Sequence, residues 1–135
     1  MQNHRRVNVR TTAYCSREAG GRRNAVGDSL SGRIVRSAAS DWSRFPLGTR
    51  FRIVSTTEEF VIDDYGSALI GTSTIDLYKT SKMEMREWGV RKIDIDILEW
   101  GSDEQSMRVL RPRTKHSSAR RMLAALEKRR TLAER

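Results

Sequence analysis

The sequence has one cysteine, Cys15, two histidines, two prolines and no long apolar run. A single cysteine cannot build a disulfide framework and leaves a cysteine-rich zinc site without ligands. His4 and His116 fall in polar ends of the chain, which argues against a histidine-built metal centre, so no metal or other cofactor is expected. No stretch of about 18 apolar residues occurs, which excludes a transmembrane helix. Hydrophobic residues are 37% and aromatics 7% of 135 residues, lean but enough for one modest core. The basic opening, residues 1–6, is not followed by the apolar stretch of about 7–15 residues that a secretory signal needs. A cytoplasmic location is therefore expected if the chain is complete, and an envelope location if a leader precedes it.

Positive charge is in excess, with 26 Lys and Arg against 17 Asp and Glu. Residues 1–102 hold 16 basic and 13 acidic side chains, and residues 103–135 hold 10 and 4, so the excess sits mostly in the last quarter. Such a tail suits an anionic surface, and it suits a solvated, solubilising helix equally well. It lacks the interleaved aromatics of a single-strand nucleic-acid platform, so charge alone speaks for nucleic acid and that partner is not expected.

Strand signals recur along residues 7–102. Alternation marks strands at 7–15, 33–39, 50–54, 60–63, 74–78 and 91–98, the last with Ile93, Ile95 and Ile97 on one face. Residues 16–32, with four glycines, read as a loop. Ser81 followed by Glu84 is a capping box for a helix of about two turns that stops at Gly89. Residues 1–6 read as a flexible lead-in, 103–116 as a basic linker, and 117–134 as a final helix that is marginal or mobile because its apolar stripe is narrow. Short strands, glycine-rich loops and one short helix predict a small, mainly β barrel over 7–102 with a basic helical tail over 103–135.

Three aspartates stand at loop–strand boundaries beside Gly or Pro: Asp41 before Pro46-Leu47-Gly48-Thr49, Asp64 before Gly66 and Gly71, and Asp76 within Ile75-Asp76-Leu77-Tyr78. If the barrel gathers them, crowding raises a carboxyl pKa, and a raised carboxyl can act as a general acid near neutral pH. An aspartate in a glycine-rich loop is, however, more often an Asx turn or a cap than a catalyst.

The succession Thr12-Ala13-Tyr14-Cys15, Asp41 with Pro46-Leu47-Gly48-Thr49, Asp64-x-Gly66-x-Ala68-x-x-Gly71, Ile75-Asp76-Leu77-Tyr78 and Trp88-Gly89-Val90-Arg91 resembles the 3D domain, named for its three aspartates. That family includes the C-terminal part of membrane-bound lytic murein transglycosylase A and many cell-wall-associated bacterial proteins. The resemblance spans about residues 7–99. It implies a six-stranded double-psi β barrel, peptidoglycan glycan strands as partner, and a place in the cell envelope (periplasm, outer membrane or cell wall). It also implies glycosidic-bond cleavage with Asp76 as catalytic acid/base, Asp64 and Asp41 beside it, and Tyr14, Gly66 and Tyr78 as substrate-binding neighbours. A non-catalytic glycan-binding or scaffold barrel is the alternative. Three features depart from the family's pattern: Ser67 where a second Gly is usual, Ile70 where Lys or a polar residue is usual, and one extra residue between Gly71 and Asp76. Two outcomes are open for the extra residue: a bulge absorbs it, or it re-aims Asp76.

Overall fold

The structure, a computed structural model, describes residues 5–15, 24–26 and 34–134. Among the described residues six strands form: β1 (Arg5–Tyr14), β2 (Val35–Ala39), β3 (Arg50–Ile53), β4 (Glu59–Asp64), β5 (Ile75–Tyr78) and β6 (Arg91–Glu99). They close in the order β1-β5-β2-β4-β3-β6, with β1–β5 and β2–β4 parallel and the other neighbours antiparallel. This is the double-psi barrel. Most of the predicted glycine-rich loop, and His4, lie outside the described residues.

Alternation drives closure. Phe51, Ile53, Phe60, Ile62, Ile75, Leu77 and Ile95 point inward and are fully buried. Phe51 and Phe60 are register partners whose rings stack at 5.6 Å. Helix α1 (Lys82–Trp88) starts where the sequence says: Ser81 Oγ accepts the Glu84 N–H at 3.1 Å. Trp88 joins the core cluster and donates its indole N–H to Thr11 Oγ1 at 3.0 Å.

Two expectations are corrected. Arg5 and Arg6 are not a loose lead-in but the start of β1, paired with Ile97 and Asp96, and the Arg6 guanidinium clasps Asp96. Residues 103–116 are not a linker. Helix α2 (Asp103–Leu110) forms there, followed by a 3-10 turn at Arg111–Arg113 and helix α3 (Ser117–Ala133). Met107, Leu110, Ala119, Met122, Leu123 and Leu126 are buried in one core with Trp42, Phe45 and Leu47. A stripe too narrow to stabilise a helix in water suffices once it lies against Trp42, since each large buried apolar side chain contributes roughly 1.5–3 kcal/mol. The junction is tight. Leu47 N–H donates to Ser106 Oγ and Leu47 O accepts from Ser102 N–H, both at 3.0 Å. A Cβ at Gly101 would stand 2.2 Å from Leu47 O, so only glycine fits at this crossing.

Candidate functional site

On the face of the wall opposite the core, register aligns four residues in one row. Thr12 pairs with Asp76, Asp76 with Ala39, and Ala39 with Asp64. Neighbours across a sheet share a face, so Asp76 and Asp64 flank the Ala39 methyl, two strands or roughly 10 Å apart along the sheet. Asp64 reaches this row through a register shift in β4: Ala38 pairs with Ile62 but Ala39 with Asp64, leaving Asp63 as the extra residue. A bulge of this kind re-aims side chains, and here it brings two successive carboxylates to the outer side. Neither β1–β5 nor β2–β5 pairing shifts register at Asp76, so the extra residue has not re-aimed it. The extra residue is taken up in the turn, where Thr72 Oγ1 donates to Leu69 O at 2.8 Å and Thr74 N–H to Thr72 Oγ1 at 3.2 Å, and Asp76 keeps regular register. Ser67 carries no positive-φ strain; it opens a 3-10 turn (Ser67–Leu69).

Asp76 is half-buried and accepts one side-chain hydrogen bond, from Thr12 Oγ1 at 2.8 Å. Burial raises its pKa, and the Thr12 bond offsets part of that. The Asp64 pKa is pushed up to about 6, chiefly by burial and further by the charge of Asp63. The Tyr65 N–H, bound by Asp64 Oδ1 at 2.9 Å, and the Arg113 guanidinium oppose that shift. Asp63 is raised by burial despite hydrogen bonds from Ser37 Oγ at 2.6 Å and Asn24 Nδ2 at 3.1 Å.

Tyr14 and Tyr78 form the adjoining row, register partners with rings 5.6 Å apart. The Tyr14 hydroxyl is buried and has no hydrogen-bond partner among the described residues, as is Asp63 Oδ1. Its pKa is raised by burial and then by the charges of Asp64, Asp63 and Asp76, so this phenol stays protonated. Tyr78 is only 8% exposed, so its ring has little free face for a sugar to stack on. Gly66 is extended, with φ −142°, ahead of the 3-10 turn.

Asp41 is elsewhere in this arrangement. It is 3% exposed, and its Oδ1 accepts the Ser43 N–H at 2.9 Å and the Ser43 hydroxyl at 2.7 Å, an Asx turn. Its Oδ2 accepts the Gly71 N–H at 2.8 Å and thereby ties the loop after β2 to the loop before β5. Gly71 has φ +84°, a conformation for which glycine is suited. The structure thus groups Asp76, Asp64 and Tyr14 and leaves Asp41 as the anchor of the neighbouring loop.

Residue-by-residue reading missed Thr12 as the partner of Asp76, Asp63, and Arg113. Arg113 donates to Tyr65 Oη at 3.3 Å and to Ala25 O. Among the described residues no group of three or more His, Cys, Asp or Glu side chains is arranged to hold a metal ion, and no helix is long and apolar enough to cross a membrane.

Residues 36–99 match the model of the 3D domain family, a shorter span than the motif resemblance, which starts in β1. No curated protein matches the chain. The matched segment contains β2 through β6 apart from the first residue of β2, and with it all three motif aspartates; over these residues the chain is similar to the 3D domain family, which is linked to cell-wall lytic enzymes.

Proposed function

We propose that this barrel cleaves glycosidic bonds of peptidoglycan in the manner of a lytic transglycosylase, with Asp76 as the acid/base. The carrying observation is the row Thr12–Asp76–Ala39–Asp64: a half-buried carboxyl with a raised pKa and one hydrogen bond, opposite a second raised carboxyl. A carboxyl with a raised pKa holds its proton to higher pH than a free aspartate does and can give it to a glycosidic oxygen. The C–O bond to the leaving sugar then breaks with oxocarbenium character at C1. The Asp76 carboxylate takes the proton of the C6 hydroxyl as that oxygen bonds to C1, which closes a 1,6-anhydro ring and restores the acid. No water is activated, so one carboxyl serves both steps, unlike the two-carboxylate scheme of ordinary glycoside hydrolysis.

In this reading Asp64, when ionised, faces the developing positive charge across Ala39. The buried Tyr14 hydroxyl stays protonated in the neighbourhood of these carboxylates, and the extended Gly66 leads into the Ser67–Leu69 turn. Asp41 holds that loop in place through Gly71. The same reading puts the chain in the cell envelope, where its substrate lies.

The test is incubation of the purified chain with isolated peptidoglycan and mass spectrometry of what is released. Anhydro-ended fragments from the native chain, lost in Asp76→Asn with an unchanged melting temperature, support the assignment. Reducing ends would replace it with a hydrolase. No release from a folded barrel would overturn the enzymatic reading in favour of a glycan-binding one.

A further inference from the structure

Next to the carboxylate row lies a group of cations from three distant parts of the chain. Arg10, on β1, donates to Thr74 Oγ1 at 3.2 Å. Arg44, from the loop after β2, donates to Ser73 Oγ at 3.0 Å. The Arg121 guanidinium, on α3, lies 3.5 Å from where a Cβ on Gly71 would be. All three converge on residues 71–74, immediately ahead of β5, and Thr74 is two residues, about 7 Å, from Asp76.

These arginines are held by neutral groups. Arg6, Arg50, Arg52 and Arg129 each grip a carboxylate at 2.8–3.1 Å. Among the described residues Arg10 and Arg121 have no carboxylate within ion-pair distance. Arg44 reaches only Asp41, at 4.0 Å, and that carboxylate is 3% exposed and already accepts three hydrogen bonds. The Arg44 side chain is 47% exposed. The rim is therefore positive and open, while the row beside it carries Asp76 and Asp64. A uniformly charged polyanion would meet repulsion at that row. A ligand that is neutral at one position and anionic roughly 7 Å away fits both parts.

We propose that Arg10, Arg44 and Arg121 form a subsite for a carboxylate carried as a side branch on the glycan whose neutral sugar lies at Asp76. This rests on the glycan reading above and adds that recognition is directed at the acidic branch. A guanidinium fork matches a carboxylate in both shape and charge.

The test compares two peptidoglycan tetrasaccharides on the full chain carrying Asp76→Asn, which blocks turnover. One probe keeps its stem-peptide carboxylates, and in the other they are converted to amides. The expected result is at least tenfold tighter binding of the acidic probe at low salt, with the preference shrinking as salt is raised. Arg10→Gln/Arg44→Gln/Arg121→Gln should bind the two probes equally, and the corresponding triple Lys variant should regain most of the preference. Arg121→Gln alone, on an exposed helical position, should lose part of it, and this variant serves if the triple one does not fold. A preference retained in the Gln variants, or absent from the parent, overturns the subsite. If the amidated probe is bound equally well and the native chain cleaves it, the subsite fails while the glycosidic reading stands. Binding of neither probe overturns both.

Discussion

Asp41 accepts hydrogen bonds from the Ser43 N–H, the Ser43 hydroxyl and the Gly71 N–H, whereas Asp76 accepts one side-chain bond, from Thr12. Both residues belong to the aspartate motifs of the sequence, and their settings differ in what the neighbourhood supplies. In the loop, backbone N–H groups that would otherwise be orphaned consume the carboxylate. In the wall, regular strand pairing satisfies the backbone, so the Asp76 carboxylate keeps unused acceptor capacity in a half-buried site. A fully engaged buried carboxylate is a fastener; a desolvated one with spare lone pairs can move a proton.

That contrast breaks most visibly by exchange of losses. Asp76→Asn should cost roughly 10²–10⁴-fold in glycan cleavage, while its stability in urea stays near that of the parent. Asp41→Ala strands the Gly71 and Ser43 N–H groups, and each buried unpaired donor costs about 1–3 kcal/mol. A loss of about 3 kcal/mol in urea unfolding is expected. If Asp41→Ala left stability untouched and Asp76→Asn unfolded the barrel, the two roles would have to be reversed.

Asp64 gives a smaller, pH-dependent effect. Its folded pKa, about 6, lies above the unfolded value near 3.8, so the native state binds more protons between those values. The stability it contributes is full at low pH and is lost as pH rises through about 6. Asp64→Asn keeps an acceptor for the Tyr65 N–H and removes the charge. It should match the parent near pH 4 and exceed it by about 1–2 kcal/mol at pH 8, after allowance for partial exposure. Equal stability at both pH values would mean that Asp64 is as well solvated as a surface carboxylate.

The parts legible in sequence are those that period and caps encode. Ile93, Ile95 and Ile97 marked β6, and Ser81 with Glu84 marked α1 to the residue. The α2 helix was missed because Met107 and Leu110 are its only fully buried apolar residues and the rest is polar, yet Ser102-x-x-Gln105 is a capping box, and Ser102 Oγ accepts the Gln105 N–H at 3.0 Å. The motif resemblance supplied the aspartates, while alignment of Asp76 with Asp64 depends on the β4 register shift, which no local pattern encodes. Thr12 and Asp76 are 64 residues apart, and Asp64, which regular alternation after the inward Ile62 would turn toward the core, joins the outer row only through that shift. Closure of the barrel decides these pairings.

The smallest expected effect concerns the region outside the matched family segment. Arg113, in the 3-10 turn between α2 and α3, holds Tyr65 Oη and Ala25 O and opposes the upward shift of Asp64. Tyr65 in turn packs edge-on against Trp42 at 5.1 Å, and the Trp42 N–H meets Met122 Sδ of α3 at 3.4 Å. The helical hairpin is therefore continuous with the loop that begins at Asp64. Removing the guanidinium withdraws a favourable charge from the ionised form, so Arg113→Gln should move the Asp64 pKa further above 6, followed by the carboxyl carbon shift in an NMR titration. Arg113→Lys, which keeps the charge but not the fork, should restore most of the pKa without restoring the Tyr65 contact. A titration curve unmoved by Arg113→Gln would confine the hairpin to a packing role; one moved by Gln and restored by Lys makes it part of the site's electrostatics.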